Sequence, residues 1–384
     1  MLKYFRFYEE RGLRIEKALN QYVWDLEGRK YLDLHTSHGV AFLGHNNPYI
    51  IDALSSQLRK LTISSTSFST AVMGDMLDVL SKVVHRRFDY VTLLNSGSEA
   101  VELALKVARR VTGRKSLVAF TGSFHGRTLG ALSVTFNPKY RRAFEPLIPG
   151  VKFGKFNDVK ALENIINEGT AGVIVEVVQG EGGIKPAFQE FIRELRRRTN
   201  DVGALLIIDE VQTGFGRTGR IWAYEHYGIE ADILVAGKAI GGGFPVSAVF
   251  MPEEVASRIV RGDHGSTYGG NPLACAAVKA SAEVLIRDSV PIKAEVMGAE
   301  LLKLLKSELL SLRAVRDIRG LGLMIGIELR FLPGSVLKCA QERGVLLLKA
   351  GSTVVRLLPP YMINREDIRW CVSVVRECIQ RLSS

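Results

Sequence analysis

Three short stretches of this sequence hold residues that could do chemistry together, and each follows an apolar run. Residues 91–94 (VTLL) lead into Asn95-Ser96-Gly97-Ser98-Glu99-Ala100. Small residues and a glycine at a strand-to-helix turn let successive N–H groups converge at the positive end of a helix, which suits a phosphate. The same pattern also reads as an ordinary Ser-capped turn. Residues 204–208 (ALLII) lead into Asp209-Glu210-Val211-Gln212, where the aspartate is either a cap or surface acid, or a carboxylate ligand. Residues 233–236 (ILVA) lead into Gly237-Lys238-Ala239-Ile240 and three glycines, Gly241, Gly242 and Gly243. A lysine is normally solvated. One set against an apolar strand and a flexible glycine triplet can lose its proton cheaply and form a Schiff base. A phosphate cradle, a carboxylate and an amine are what pyridoxal 5′-phosphate requires for its phosphate, its ring nitrogen and its aldehyde.

These residues need elements to hold them. Short apolar runs at 91–94, 117–120, 173–178, 204–208 and 233–236 alternate with helical spacing at 99–110 and 188–198. Such alternation predicts an α/β fold with a mostly parallel sheet covered by helices on both faces. In such sheets ligands collect beyond the carboxyl ends of the strands, where all three stretches fall. From about residue 272 the texture changes to long helical stretches (274–286, 296–309) and short runs (323–329, 345–348), which predicts a smaller α+β domain. The expected division is an N-terminal segment 1–40 packing with the small domain, a large domain 41–271 and a small domain 272–384.

The motifs NSGSEA, SFHGRT, VEVVQGEGG, LLIIDEVQTGFGRTG, AGKAIGGGFP and HGSTYGGNPLAC, in this order over essentially the whole length, resemble the class III aminotransferases of PLP fold type I. Within that family the chain is similar to the acetylornithine and carrier-protein-linked lysine aminotransferases. The resemblance implies Lys238 as the Schiff-base lysine, Asp209 as the partner of the pyridinium nitrogen and Gln212 as the residue bonded to the phenolic oxygen. It implies Ser96, Gly97 and Ser98 as the phosphate cradle, Phe124 stacked on the ring and Glu176 as an acid near it. It also implies Thr267 as a phosphate ligand donated by a neighbouring subunit, and therefore a homodimer with shared sites.

Two arginines bear on the substrate. Arg356 lies in an apolar strand-like run, 354–358, where a guanidinium is costly unless paired. Arg127 follows Phe124 in the FHGRT motif. Both are either snorkelling residues or carboxylate receptors. By resemblance Arg356 grips the α-carboxylate of glutamate or 2-oxoglutarate and Arg127 a distal carboxylate. Glu181 resembles the residue that covers Arg356 while a terminal amine is processed. Ser266 stands where acetylornithine enzymes commonly carry a threonine against the acyl-amino group; it keeps the hydroxyl and lacks the methyl.

Two other patterns suggest different chemistry and lack its context. Gly214-Phe215-Gly216-Arg217-Thr218-Gly219 spells a dinucleotide fingerprint, but residues 209–213 separate it from the strand. His35, His38 and His45 lack a matched acid or cysteine set, so no metal is expected and a structural role is.

Composition bounds the remaining classes. The chain has 384 residues, 47% of them hydrophobic, and no apolar run long enough to span a membrane. Its first residues lack the apolar core of a signal peptide. Four cysteines without CxxC spacing are too sparse for a disulfide framework, which predicts a reducing, cytoplasmic setting. The net charge of +11 fits nucleic acid, an acidic partner or a solvated surface. The basic clusters Arg109-Arg110 with Arg114-Lys115, Lys139 with Arg141-Arg142, and Arg193 with Arg196-Arg197-Arg198 carry no nucleic-acid-binding signature. By resemblance the reaction exchanges a terminal amine and semialdehyde with glutamate and 2-oxoglutarate. The substrate is a lysine or ornithine linked to a small acidic amino-group carrier protein, in lysine or arginine synthesis. The alternative is free N-acetylornithine, which calls for no basic docking face. The shared active-site motifs do not separate the two.

Overall fold

The protein is described by a computed structural model over residues 2–382. Its central sheet has seven strands: β1 Tyr90–Leu94, β2 Ser116–Phe120, β3 Val151–Gly154, β4 Thr170–Val175, β5 Leu205–Glu210, β6 Ile233–Ala236 and β7 Ser247–Met251. They lie in the order β1-β7-β6-β5-β4-β2-β3. All pairings are parallel except those of β7, which runs against both β6 and β1. Alternate residues of each strand enter two different core layers. Val173, Val175, Leu206, Ile208 and Leu234 face one layer, while Ile174, Ile207, Ile233 and Val235 face the other. A strand buried on both faces has no polar side, which is why these runs are continuously apolar in the sequence.

One layer is completed by helix α1, Gly97–Thr112, which buries Ala100, Val101, Ala104, Leu105 and Ala108. Ser96 caps its start by accepting from the Glu99 amide, and Gly113 ends it at φ 71°. Helix α2, Gln189–Val202, packs on the other layer through Phe191, Ile192 and Leu195. Asp209 lies opposite Val235 and Glu210 opposite Ala236, so β5 and β6 end level with each other. Leu94 at the end of β1 pairs with Ser247. The chain therefore leaves β1, β5 and β6 along one edge of the sheet.

Beyond helix Pro272–Arg287, an antiparallel sheet orders its strands Val315–Leu321, Met324–Leu329, Val354–Leu357 and Leu348–Ala350, accompanied by helices Val290–Leu309 and Arg365–Arg381. The N-terminal strands Ile15–Leu19, Tyr22–Asp25 and Lys30–Asp33 form a separate sheet, which recruits Val345–Leu346 as a parallel edge. Three sequence expectations need correcting. The run 173–178 stops being a central strand at Val175, and Val178–Gln179 pairs instead with Lys185–Pro186. The run 345–348 divides at Leu347, one half joining each of two sheets. Cys339 and Cys378 form a disulfide, with Cα atoms 5.8 Å apart across 39 residues of sequence. Packing of helix Gly334–Glu342 against Arg365–Arg381 brings them together, and cysteine spacing carries no trace of that packing. No described helix is long and apolar enough to cross a membrane.

Candidate active site

Lys238 is held in an unusual backbone state. It follows β6 by one residue, opens a single helical turn, Lys238–Gly241, and adopts φ 47°, a left-handed conformation that costs a side-chain-bearing residue energy. Its half-buried amine has its pKa lowered to about 8, by burial first and then by the Arg356 charge, against the opposing pull of Glu181, Asp209 and Glu176. A lysine so placed is a ready nucleophile and proton carrier near neutral pH.

Asp209, next to last in β5, has its carboxylate buried. One oxygen accepts from the Val211 amide at 3.0 Å and the other meets His125 Nδ1 at 2.6 Å. His125 Nε2 is buried and lacks a hydrogen-bond partner. Glu176 lies beside this pair, accepting from the Phe124 amide at 2.9 Å and the Gly180 amide at 3.0 Å. Burial, with Asp209 adding to it and His125 opposing, pushes its carboxyl up to about 7. Burial thus biases Glu176, the neighbour of Asp209, toward the neutral acid.

At the head of α1, Gly97 and Ser98 occupy the first turn, whose amides have no acceptors within the helix. The turn is tightly packed. A Cβ at Gly97 would lie 2.9 Å from Val211 Cγ1, and Ser98 Oγ accepts from the Arg127 amide at 3.2 Å. Ser96 spends its hydroxyl on the cap and its carbonyl on Ser247 Oγ, 2.7 Å away. These features fit pyridoxal 5′-phosphate: open first-turn amides for the phosphate, a buried carboxylate for the ring nitrogen, and a lysine of lowered pKa for the aldehyde.

Arg356, only 1% exposed, lies on an inner strand of the C-terminal antiparallel sheet. Its Nη2 meets Glu181 Oε1 at 2.7 Å and its Nη1 donates to Gln212 Oε1 at 3.3 Å. Burial favours the protonated form of Glu181, yet the charge and hydrogen bond of Arg356 together hold its pKa below the usual carboxylate range. Gln212 Nε2 donates to the His38 carbonyl at 3.4 Å, so one amide joins the N-terminal segment to the arginine. The loop carrying Glu181 is pinned by Arg319, whose guanidinium donates to the carbonyls of Gly183 and Ile184 and pairs with Asp317 and Glu328.

Arg127 is exposed among three rings, its guanidinium 4.4 Å from the centre of Tyr140, 5.7 Å from Tyr8 and 6.0 Å from Phe124. Phe124 itself meets Tyr140 edge-on at 5.9 Å. Ser266 Oγ accepts from Asn95 Nδ2 at 3.3 Å and from the Gly269 amide at 3.0 Å. Thr267 is exposed on the same loop, outside the set gathered around Lys238.

Sequence reasoning overlooked two residues inside motifs it had singled out. His125, in SFHGRT, orients Asp209. Arg217, in GFGRTG, is wholly buried without a carboxylate partner. It donates to the carbonyls of Leu323 at 2.9 Å, Pro359 at 3.0 Å and Gly39 at 3.2 Å, and its guanidinium lies 4.3 Å from the Phe42 ring centre. Burial and the nearby Arg356 lower its pKa to about 9. The three histidines do not converge. His45 Nε2 meets Asp33 at 2.7 Å, while His35 and His38 stack edge-on at 4.6 Å with their pKa values lowered to about 4, mainly by burial.

The chain is similar to known proteins in sequence and fold. The chain is 54% identical over 383 residues to the LysW-aminoadipate semialdehyde/glutamate semialdehyde transaminase of Sulfolobus acidocaldarius, covering 100% of this chain and 99% of that one. It is 43% identical to the acetylornithine aminotransferase of Archaeoglobus fulgidus, covering 96% of each. A solved ornithine aminotransferase from Toxoplasma gondii, reported with partial occupancy of PLP at its active site, superposes with a TM-score of 0.94 at 31% identity, over 98% of this chain and 91% of that one. The class III aminotransferase family matches residues 7–379, and the chain belongs to it.

Proposed function

We propose that this PLP-dependent aminotransferase converts the terminal semialdehyde of a chain linked to an amino-group carrier protein into an amine, with glutamate as donor. The observation that carries the chemistry is the Arg356–Glu181 pair beside Lys238: a buried carboxylate receptor covered by an acid that can give way. When bound, pyridoxal 5′-phosphate supplies the electron sink that lets a proton leave the carbon bearing the nitrogen. Ser96, Gly97 and Ser98 would hold its phosphate, Asp209 would keep its ring nitrogen protonated, Gln212 would meet its phenolic oxygen and Phe124 would cover its ring. Lys238 Nζ moves the proton, a task its lowered pKa suits.

Arg356 takes the α-carboxylate of glutamate or 2-oxoglutarate once Glu181 turns away, and Arg127 takes the distal one. With an ω-amine bound, Glu181 stays on Arg356 and excludes a second carboxylate. Ser266 and Thr267 sit on one exposed loop; we assign them to the substrate and phosphate of a second copy's site in a homodimer. The carrier-linked substrate is supported by the more similar relative and by the +11 charge, since an acidic protein gains from a basic face. The relative from Archaeoglobus fulgidus favours free N-acetylornithine as the second reading.

Comparing kcat/KM on carrier-linked lysine and on free N-acetylornithine across a salt series tests the choice. Preference for the carrier form that weakens as salt rises is expected. Equal or better efficiency on the free amine, indifferent to salt, would sink the carrier reading.

A further inference from the structure

The surplus of positive charge is unevenly compensated. In the cluster around α2, Arg196 pairs with Asp232 at 2.8 Å, Arg197 with Glu194 and Asp201 at 2.6 Å each, and Arg198 donates to the carbonyl of Ile166 at 3.2 Å. In the cluster at the end of α1, Arg110 pairs with Asp263 at 2.9 Å, and Arg109 and Arg114 donate to the carbonyls of Pro149 and Val202. These two clusters are largely spent inside the fold.

The third is not. Lys139, Arg141 and Arg142 flank Tyr140 on the short helix Pro138–Arg141 and the turn after it, and among the described residues none of them forms an ion pair. The Arg141 guanidinium lies over the Phe153 ring, 4.8 Å from its centre, which leaves Lys139 and Arg142 exposed. Tyr140 is the ring that covers Arg127 and abuts Phe124, so Lys139 and Arg142 flank in the chain a residue packed against the candidate site. Beside it two apolar side chains are open to solvent, Phe144 and Leu129, each 59% exposed.

We infer that the rim formed by Lys139 and Arg142, together with the exposed side chains of Leu129 and Phe144, is the docking surface for an acidic carrier protein. This inference rests on the carrier reading above. Uncompensated cations accelerate encounter with an acidic partner over about 10 Å at moderate salt, and exposed apolar side chains give the docked complex area to bury. Attachment here delivers the linked chain past Arg127 toward Lys238, whereas the α2 cluster leaves only Arg193 without an ion pair or hydrogen bond among the described residues.

The test is the charge-reversal double variant K139E/R142E in the PLP-loaded enzyme, with R193E/K115E as a control at two exposed cations of the other clusters that form no ion pair among the described residues. The expected result is a loss of about 10-fold or more in kcat/KM on carrier-linked substrate, carried by KM, together with a flatter salt dependence. Efficiency on free N-acetylornithine changes by less than about 2-fold, and the control keeps the carrier reaction. A double variant that retains full, salt-sensitive carrier efficiency overturns the docking site while leaving the carrier reading intact. A wild type indifferent to the carrier removes the reading, and the site with it. Equal losses on both substrates show damage to the active site and overturn the inference. Loss of binding to a mixed-sequence RNA 20-mer, with the carrier reaction untouched, would reassign the patch to nucleic acid.

Discussion

Arg356 and Glu181 meet at 2.7 Å, yet the two partners are unlike: the arginine side chain is 1% exposed and the glutamate 29%. The arginine is locked within a sheet. The glutamate stands on a loop whose later carbonyls are gripped by Arg319 while its own side chain is partly exposed. Glu181 is therefore the partner able to turn aside. Replacing it with glutamine leaves Arg356 charged and less engaged, so KM for 2-oxoglutarate should fall about 10-fold. Arg356→Met should raise that KM by about 100-fold or more. Half-reaction kinetics on each substrate separately check both; a 2-oxoglutarate KM that ignores Glu181→Gln would show that the pair does not gate the receptor.

The amine of Lys238 should behave as a base near neutrality. The rate at which the cofactor-free enzyme takes up pyridoxal 5′-phosphate should climb with pH and level off above about 8, the value to which its pKa is lowered from 10.5. For stability the sign follows from proton counts. Between about 8 and 10.5 the folded protein has lost this proton while the unfolded chain still holds it, so this group's contribution to stability rises with pH across that window. Stopped-flow loading rates over pH 6–10 read the first effect directly, and a rise continuing unbroken to the upper end would contradict the lowered pKa.

Asp209→Asn should slow turnover severely, because an amide cannot hold the ring nitrogen of the cofactor in its protonated form. His125→Ala keeps the carboxylate but removes its 2.6 Å partner, and should cost on the order of 10- to 100-fold in kcat. Cofactor retained with a shifted absorbance spectrum would distinguish lost orientation from lost binding.

Arg217→Met keeps the buried volume but strips donors from the carbonyls of Leu323, Pro359 and Gly39. The expected destabilisation is about 1–3 kcal/mol, read from chemical denaturation. Pro359 follows Arg356 by three residues, so KM for glutamate should rise with it. A variant of unchanged stability would show that those carbonyls find other partners.

Reduction of Cys339–Cys378 releases a loop of 39 residues. The chain-entropy account puts the loss at up to about 4 kcal/mol. Thermal unfolding with and without reductant, and in Cys339→Ser, reads it; the two perturbations should agree.

Much of the site was legible because its backbone is written in strong signals. A strand buried on both faces must be an uninterrupted apolar run, and the residue that follows it lies at the edge where ligands gather. That logic finds Asp209 and Lys238 without any structure. It misses His125, since nothing about a histidine after a phenylalanine says that its ring turns inward to a carboxylate 84 residues later. It misses Arg217 for a sharper reason: an arginine satisfied by three carbonyls from distant segments has no partner whose type could reveal it. The disulfide was illegible in the same way, because the packing of two helices decides it. The basic clusters looked alike in sequence, and only the placement of nearby acids and carbonyls separated spent charge from free charge.

The strand Lys30–Asp33 takes its parallel neighbour, Val345–Leu346, from more than 300 residues further along the chain. During synthesis the first strands must therefore wait, unpaired on that edge, until nearly the whole polypeptide has emerged. His38, whose carbonyl holds Gln212 beside Arg356, lies just beyond that waiting strand. A chain cut short before residue 345 cannot close this edge, so the surroundings of Arg356 are completed only once that later stretch has joined. Closure of that edge acts as a final inspection, passed by a finished chain and failed by a fragment.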